Sequence, residues 1–563
     1  MNVTTNKITC RILSELLTAH GVEDVVLSPG SRNTPIILAF DSNQNLKKHV
    51  IIDERSAAYV ALGIAKSSNK PVAIVCTSGT ALLNYAPAVA EAYYQSIPLI
   101  VISADRPAQW IDQDDSQTIR QYEALRNFVK KSYDIIDIEE EDEEMKWFAN
   151  RTINDALLTS ISERKGPVHL NIQLNEPLSK TIEKRGEKYR IIKNIQTSQY
   201  LKEDDLLELC NYINNKKILI VGGFYKRNER LISSLNNLSL YNNIKVLTET
   251  ITNVEGNAIN TNIDRTISPL SPSELNELTP DIVISFGGAL VSRYVKQFLR
   301  SFKPLRHISI GYNHTTIDCF KSLTDKIEIA PESFFEQLSE NLTSSKIDYA
   351  KKWGIIENKT LNSHINYLSN ISWSDFKAFD IIINSINQFN EKFHLSVSNG
   401  TPIRYTQLFD IKNVETFSCN RGVSGIDGCT STAIGIALAE NKKTIFISGD
   451  MSFSYDIGAL GINYIPKNLK IIVINNHGGG IFRFIKTTKD LSQREHYFSC
   501  QPNLPLRELC EAYNYQYYYA HDENTLKNCI CDFLSSDMFS ILEIETPEEE
   551  SAIILNNYMN RKI

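Results

Sequence analysis

Between residues 24 and 102, short β-branched runs (DVVLS, HVIID, VAIVC, LIVIS) alternate with stretches of helical period such as ERSAAYVALGIAKS and ALLNYAPAVAEAYYQ. Apolar runs this short, separated by segments that repeat every ~3.6 residues, describe a parallel sheet joined by crossover helices. Another strand, GPVHLNIQL, closes the region at 166–174. The rhythm returns in KILIVGG, IKVLTET, DIVISFGG and LRHISIG, and again in HLSVSN, TFSCN, TIFISG, KIIVINN and SILEIE. A chain of 563 residues exceeds one ordinary core. The pattern therefore predicts an α/β protein of three domains, all with parallel sheets: two large units flanking a smaller Rossmann-like middle one. The expected bounds are 1–185, 200–345 and 375–563. Polar stretches at 183–205 and 346–374 read as a linker and as helix with linker, and the outer units could be distant copies of one architecture.

The net charge of −7 includes no long basic block, so the footprint of a nucleic-acid binder is missing and small molecules are the expected partners. No apolar run reaches the ~18 residues of a membrane span, and the first residues lack the order of basic, apolar and small-residue segments of a secretory leader. The expectation is a cytoplasmic protein without membrane insertion. Ten cysteines are scattered without a C-x-x-C, which predicts buried free thiols; Cys529 and Cys531, the one close pair, have no nearby histidines to complete a metal site. Gly222-Gly223 and Gly287-Gly288 end strands, but neither completes G-x-G-x-x-G, so turn chemistry is the better reading than a dinucleotide site.

The strongest local signal is TIFISGDMSFSYDIGALGINYIPKNLKIIVINNHGGGIF, a strand, a helical segment and a second strand with polar oxygens at both strand ends. A right-handed crossover places Asp450 and Asn476 at the carboxyl edge of adjacent strands, where open α/β sheets bind ligands. A carboxylate, an amide oxygen and the Gly478 carbonyl, completed by diphosphate oxygens and water, suit octahedral Mg²⁺. Taken singly, Gly449-Asp450 reads as a turn and Asn475-Asn476 as a loop. In the first region Glu54 follows HVIID and opens the helix ERSAAYVALGIAK; with Asp53 it could also simply cap that helix.

Paired in this way, these motifs resemble the thiamine diphosphate-dependent decarboxylases and carboligases, whose pyrimidine-binding domain comes first and diphosphate-binding domain last. The text after Glu54, TSGTALLNYAPAVAEAYYQSIPLIVISADRP, and the segment NRGVSGIDGCTSTAIGIALA resemble those two domains. The resemblance implies that the outer units have the thiamine diphosphate-binding fold and that Glu54 is catalytic at the aminopyrimidine. It places cofactor contacts at Glu54, Thr77, Ser78, Gly79, Gly425, Ile426, Gly449, Asp450, Met451, Ser452, Asn476 and Gly478, with Mg²⁺ (or Mn²⁺) on Asp450, Asn476 and Gly478. It also implies a homo-oligomer, a dimer or dimer of dimers, with active sites between subunits.

Over essentially its whole length the chain is similar to the 2-succinyl-5-enolpyruvyl-6-hydroxy-3-cyclohexene-1-carboxylate synthases of menaquinone biosynthesis. The motifs are LSPGSRNTP at 27–35, DER at 53–55, TSGTA at 77–81, ADRP at 104–107, SQTIRQ at 116–121, NRGVSGIDG at 420–428, and NNHGGGIF. That resemblance implies decarboxylation of 2-oxoglutarate and conjugate addition of the resulting carbanion equivalent to isochorismate. Four carboxylates then share one cleft, which calls for guanidinium groups. Substrate positions fall on Ser31, Arg32, Arg106, Gln117, Arg293, Arg404, Arg421, Ile481 and Phe482. The chain departs from the family pattern at Gly400 (usually serine), Ser116 (asparagine), Ser292 (lysine) and His477 (asparagine). Another thiamine diphosphate-dependent 2-oxo acid decarboxylase or carboligase is the alternative, for which fewer arginines and a more apolar pocket are expected.

Overall fold

The computed structural model describes residues 3–563 apart from Arg185, Gln196, His314 and Ser344. The expected ends of the first domain, residues 1 and 185, lie outside the described residues. The chain forms two compact units. One comprises Met1–Gln196, Gly422–Asn441 and Tyr455–Leu469; the other comprises Thr197–Arg421, Lys442–Ser454 and Lys470–Ile563.

Three six-stranded sheets carry the architecture. The first runs Lys47–Val50, Asp24–Leu27, Val72–Cys76, Leu99–Asp105, Val168–Gln173, Ser132–Ile135, every pairing parallel. The third runs Val414–Ser418, Phe393–Val397, Thr444–Gly449, Leu469–Asn475, Ser540–Glu545, Gln516–Ala520. Its pairings on both sides of Phe393–Val397 and of Ser540–Glu545 are parallel. Counted within each sheet, both follow the order 2-1-3-4-6-5, so the outer units do share one architecture. The middle sheet instead has the Rossmann order 3-2-1-4-5-6, from Ile259–Asn260 at one edge to Asp325–Ile327 at the other. An antiparallel pair, Val3–Thr5 with Thr181–Glu183, stands outside these sheets.

Every sequence-expected strand is present, and each sheet has edge strands that the text did not announce: Ser132–Ile135, Ile259–Asn260, Asp325–Ile327 and Gln516–Ala520. They are short or half-exposed, so their composition lacks the apolar run of a strand buried on both faces. The segment ALLNYAPAVAEAYYQ breaks at Tyr85 into Ala81–Asn84 and Ala86–Gln95, because Pro87 suits the first turn of a helix and not its interior.

At the switch point of the middle sheet, a Cβ on Gly223 would lie 1.9 Å from the Gly288 carbonyl oxygen, and one on Gly288 would lie 2.1 Å from the Phe224 ring. Gly223 N donates to Phe286 O (3.0 Å) and Gly288 N to Phe224 O (2.9 Å). The glycine pairs thus let two loops bond to one another. All ten cysteines are free, and Cys500 and Cys531 are exposed, which corrects the expectation of uniformly buried thiols. Cys531 lies on the outer face of the helix Glu523–Ser535, whose other face buries Leu526, Ile530, Phe533 and Leu534. Among the described residues no helix is long and apolar enough to cross a membrane, and no three His, Cys, Asp or Glu cluster as metal ligands.

Candidate active site

In the first unit, chain order reverses between the strands Asp24–Leu27 and Val72–Cys76, and the loops that follow them meet there. A Cβ on Gly30 would lie 2.3 Å from Thr77 Cβ, and Arg32 N donates to Thr77 Oγ1 (3.3 Å). Thr77, Ser78 and Gly79 are buried; Gly79 takes φ +88°, and its N–H donates to Gln121 Oε1 (2.7 Å). This is the crevice position where doubly wound sheets bind ligands.

Arg32 is buried, donates to Leu174 O (3.2 Å) and pairs with Glu176 (3.1 Å), while Ser31 beside it is exposed. Burial, then the charge of Arg106, holds the Arg32 guanidinium below the usual arginine value. Arg106 pairs with Asp115 (2.9 Å), and its Nε donates to Ser116 O (3.0 Å). The Ser116 contact uses the main chain, so that departure leaves it intact. Gln117 is exposed with φ +56°. Below the arginines, Asp105 accepts from Asn171 Nδ2 (2.9 Å), and burial pushes its carboxyl up to about 6.

Glu54 is the first residue of the helix Glu54–Ser68; Asp53 caps it, accepting from Ser56 N (3.1 Å). Glu54 is half-buried, accepts from Asn84 Nδ2 at 3.4 Å, and faces a cleft of about 570 Å³ with walls that include Ile51, Ser56, Gly458 and Asn463. Burial, and then the Glu54 charge, raise the Cys76 thiol well above its usual value.

The loop 422–428 belongs to the same unit. Buried Glu91 accepts from Gly422 N (2.6 Å) and Val423 N (2.7 Å), which fixes the approach to half-buried Gly425 and Ile426. Gly428, with φ +64°, opens the helix Cys429–Ala439, and a Cβ there would lie 2.0 Å from the Tyr59 ring.

In the second unit the strands Thr444–Gly449 and Leu469–Asn475 are neighbours, and their ends bring Asp450, Asn476 and Gly478 together. Asp450 is 1% exposed, and its two oxygens accept from Met451 N (2.7 Å) and Gly478 N (2.6 Å). Burial pushes this carboxyl up to about 7. Asn476 Nδ2 donates to buried Asp375 (2.8 Å), leaving the amide oxygen as its acceptor. A hard oxygen set of carboxylate, amide and carbonyl, in which a buried carboxylate makes no ion pair among the described residues, fits a divalent cation.

Gly478 takes φ +126°, and a Cβ would lie 2.4 Å from Ser499 O. His477, with φ +58°, faces Glu545 (3.2 Å), a loop role. Arg483 supports the loop, donating to Asn476 O (2.9 Å) and His477 O (3.2 Å) while pairing with Glu495 (2.7 Å). Ile481 and Phe482 are half-buried, and Gly479 lies close enough to Phe482 and Met451 that a Cβ would lie 2.6 and 3.2 Å from them. Gly449 N donates to Ser398 Oγ (3.3 Å), and Ser452 is buried.

The same unit gathers Arg293, Arg404 and Arg421. Burial, then the charge of Arg293, lowers the Arg404 pKa, with Arg421 adding to it. Arg421 donates to Asn399 Oδ1 (2.9 Å); the buried Nε atoms of Arg404 and Arg421 have no hydrogen-bond partner, and none of the three arginines pairs with a carboxylate among the described residues. Ser292, in place of the family lysine, caps the helix Arg293–Ser301 and donates to buried Asp264. Gly400 has φ +101°, a conformation that serine rarely adopts.

Sequence reasoning missed Asp375, Arg483, Glu91 and Asp264, and also Glu249, which accepts from the main-chain N–H groups of Val291 and Ser292. Apart from Arg483, which braces the loop just before it, each acts on a partner far along the chain, and no local motif announces that.

A sequence model described as thiamine pyrophosphate enzyme, N-terminal TPP binding domain, matches residues 9–124, and the corresponding C-terminal TPP binding domain matches 401–544. Curated proteins called 2-succinyl-5-enolpyruvyl-6-hydroxy-3-cyclohexene-1-carboxylate synthase align over nearly the full length. The one from Porphyromonas gingivalis is 38% identical, covering 97% of this chain and 96% of its own. That from Flavobacterium johnsoniae is 40% identical with 97% of each covered. The chain belongs to this synthase family. A third member, from Cytophaga hutchinsonii, is 37% identical with 97% of each covered. Within the synthase family the two matched domains are the outer units, and the Rossmann-ordered sheet lies between them in sequence.

Proposed function

We propose that this chain decarboxylates 2-oxoglutarate and adds the succinyl carbanion equivalent to isochorismate in a 1,4 sense, yielding 2-succinyl-5-enolpyruvyl-6-hydroxy-3-cyclohexene-1-carboxylate and CO₂ for menaquinone biosynthesis. The observation that carries the substrate choice is the gathering of Arg293, Arg404 and Arg421, in which the buried Nε atoms of Arg404 and Arg421 have no hydrogen-bond partner among the described residues. Buried Asp264 and Glu249 lie near enough to favour the charged form of Arg404, but neither forms an ion pair with it among the described residues, so the guanidinium donors are left for a polyanionic substrate whose carboxylates they orient bidentately. Arg32 and Arg106 offer a second pair, with Ser31 and Gln117 beside them.

Bound thiamine diphosphate supplies the electron sink that decarboxylation requires. Asp450, Asn476 and Gly478 hold Mg²⁺ (or Mn²⁺) against its diphosphate, with Gly449, Met451 and Ser452 alongside. Glu54 holds and moves the proton at the aminopyrimidine, with Thr77, Ser78, Gly79, Gly425 and Ile426 as the remaining contacts. Ile481 and Phe482 form apolar walls that keep water from the reacting carbon. The working form is a cytoplasmic homo-oligomer, a dimer or dimer of dimers, with sites between subunits and domains at 1–185, 200–345 and 375–563.

The test is isochorismate consumption with and without 2-oxoglutarate, in the presence of thiamine diphosphate and Mg²⁺. Consumption only when both acids are present, with release of CO₂, is expected. Decarboxylation of 2-oxoglutarate that leaves isochorismate untouched would overturn the reading in favour of another decarboxylase.

A further inference from the structure

Asn476 is a ligand of unusual delicacy, because one face of its amide is an oxygen that a cation attracts and the other an NH₂ that it repels. Something must hold the oxygen inward. Arg483 grips only the main chain of this residue, through the carbonyl of Asn476. The side chain is held by Asp375, 101 residues earlier, whose Oδ2 accepts from Asn476 Nδ2 at 2.8 Å. A carboxylate only accepts, so this contact selects the NH₂ edge and turns the oxygen away from Asp375.

Asp375 is itself held from several sides. It is the first residue of the helix Asp375–Gln388, which Ser374 caps, and it is 2% exposed. Its Oδ1 accepts from Thr546 Oγ1 (2.6 Å), and its main-chain N–H donates to Ser551 Oγ (3.0 Å). Thr546 N in turn donates to Asn475 O (3.0 Å), so one threonine reads both the strand end and the carboxylate. No guanidinium or ammonium pairs with Asp375 among the described residues. A buried carboxylate spent on an amide and a hydroxyl is costly unless that orientation matters.

Resting on the functional reading above, we propose that Asp375 is a positioning residue for the divalent cation: it fixes the Asn476 amide with its oxygen toward the ion without itself coordinating.

The test is Mn²⁺ binding in the presence of thiamine diphosphate, followed by the free-Mn²⁺ EPR signal on the full chain, with thermal melting of each variant alongside. Asp375→Ala is expected to weaken Mn²⁺ binding about 10–100-fold, the range for outer-shell partners of metal ligands. The line shape of bound Mn²⁺ should also change as the amide leaves the coordination shell. Asp375→Asn keeps an amide oxygen for Asn476 and an NH₂ for Thr546, so it should recover most of the loss. If Asp375→Ala fails to fold, Asp375→Ser leaves a polar group too short to reach Asn476 and carries the same expectation. A folded Ala or Ser variant with parental Mn²⁺ binding overturns the proposal, as does an Asn variant as weak as the Ala or Ser variant. If the parent protein binds no Mn²⁺ with thiamine diphosphate, the functional reading itself has failed instead.

Discussion

Asp53 and Glu54 are adjacent acids with different work. Asp53 caps the helix by accepting from Ser56 N, which leaves Glu54 at the first helical position, half-buried and facing the cleft. From the text alone the pair could have been two capping acids. The division of roles depends on which carboxylate meets a backbone N–H, and that is set by the φ/ψ of one turn. Glu54→Gln keeps size and hydrogen bonding but cannot exchange a proton. Turnover should fall by at least about a hundredfold, while calorimetry shows thiamine diphosphate still bound; near-parental turnover would remove Glu54 from the mechanism. Buried Glu249 accepts from Val291 N (2.8 Å) and Ser292 N (2.7 Å), and burial pushes its carboxyl from 4.5 up to about 7. The folded protein keeps this proton to higher pH than the unfolded chain does. Stability from this group is therefore complete below about 4.5 and is lost as pH rises through about 7. Melting temperatures across that window should fall less steeply with pH in Glu249→Gln than in the parent protein.

The helix Glu54–Ser68 was legible from its period, but its partner was not. Within the first unit it crosses the helix Cys429–Ala439 at glycines: a Cβ on Gly63 would lie 2.1 Å from Thr432 O, and one on Gly435 would lie 2.0 Å from Val60 O. Both obstacles are main-chain atoms that cannot swing aside. Gly435→Ala should destabilise the protein by about 1–3 kcal/mol, read as a lower denaturation midpoint. An unchanged midpoint would show that the helices separate at little cost. Central strands were legible for a related reason, since a strand buried on both faces must be apolar throughout. Edge strands escaped because one side of each needs no such run; Gln516–Ala520, for example, is a row of half-exposed tyrosines.

At the scale of the molecule, Glu54 belongs to one compact unit and Asp450 with Asn476 to the other. If working sites form between subunits, as proposed, two inactive variants can repair one another. Glu54→Gln and Asp450→Asn proteins, each inactive alone, should recover about a quarter of parental activity when mixed and allowed to exchange subunits, because half of the sites in each mixed dimer are intact. No recovery despite demonstrated exchange would place both residues of each site on one chain.

The sequence by itself determined the three-fold α/β rhythm, the central strands and the strand-end position of Asp450 and Asn476, while the arginine positions came from resemblance to the family. The rhythm, the strands and the strand-end oxygens are written locally, as periodicity or as residues of fixed chemistry at strand ends. Only the tertiary structure decided that Gly422–Asn441 and Tyr455–Leu469 join the first unit, and that Arg293, Arg404 and Arg421 gather with no ion pair to a carboxylate among the described residues. It also decided that Asp375 holds Asn476. Those facts depend on contacts between residues tens to hundreds of positions apart, where packing and burial, and no local pattern, choose the partner.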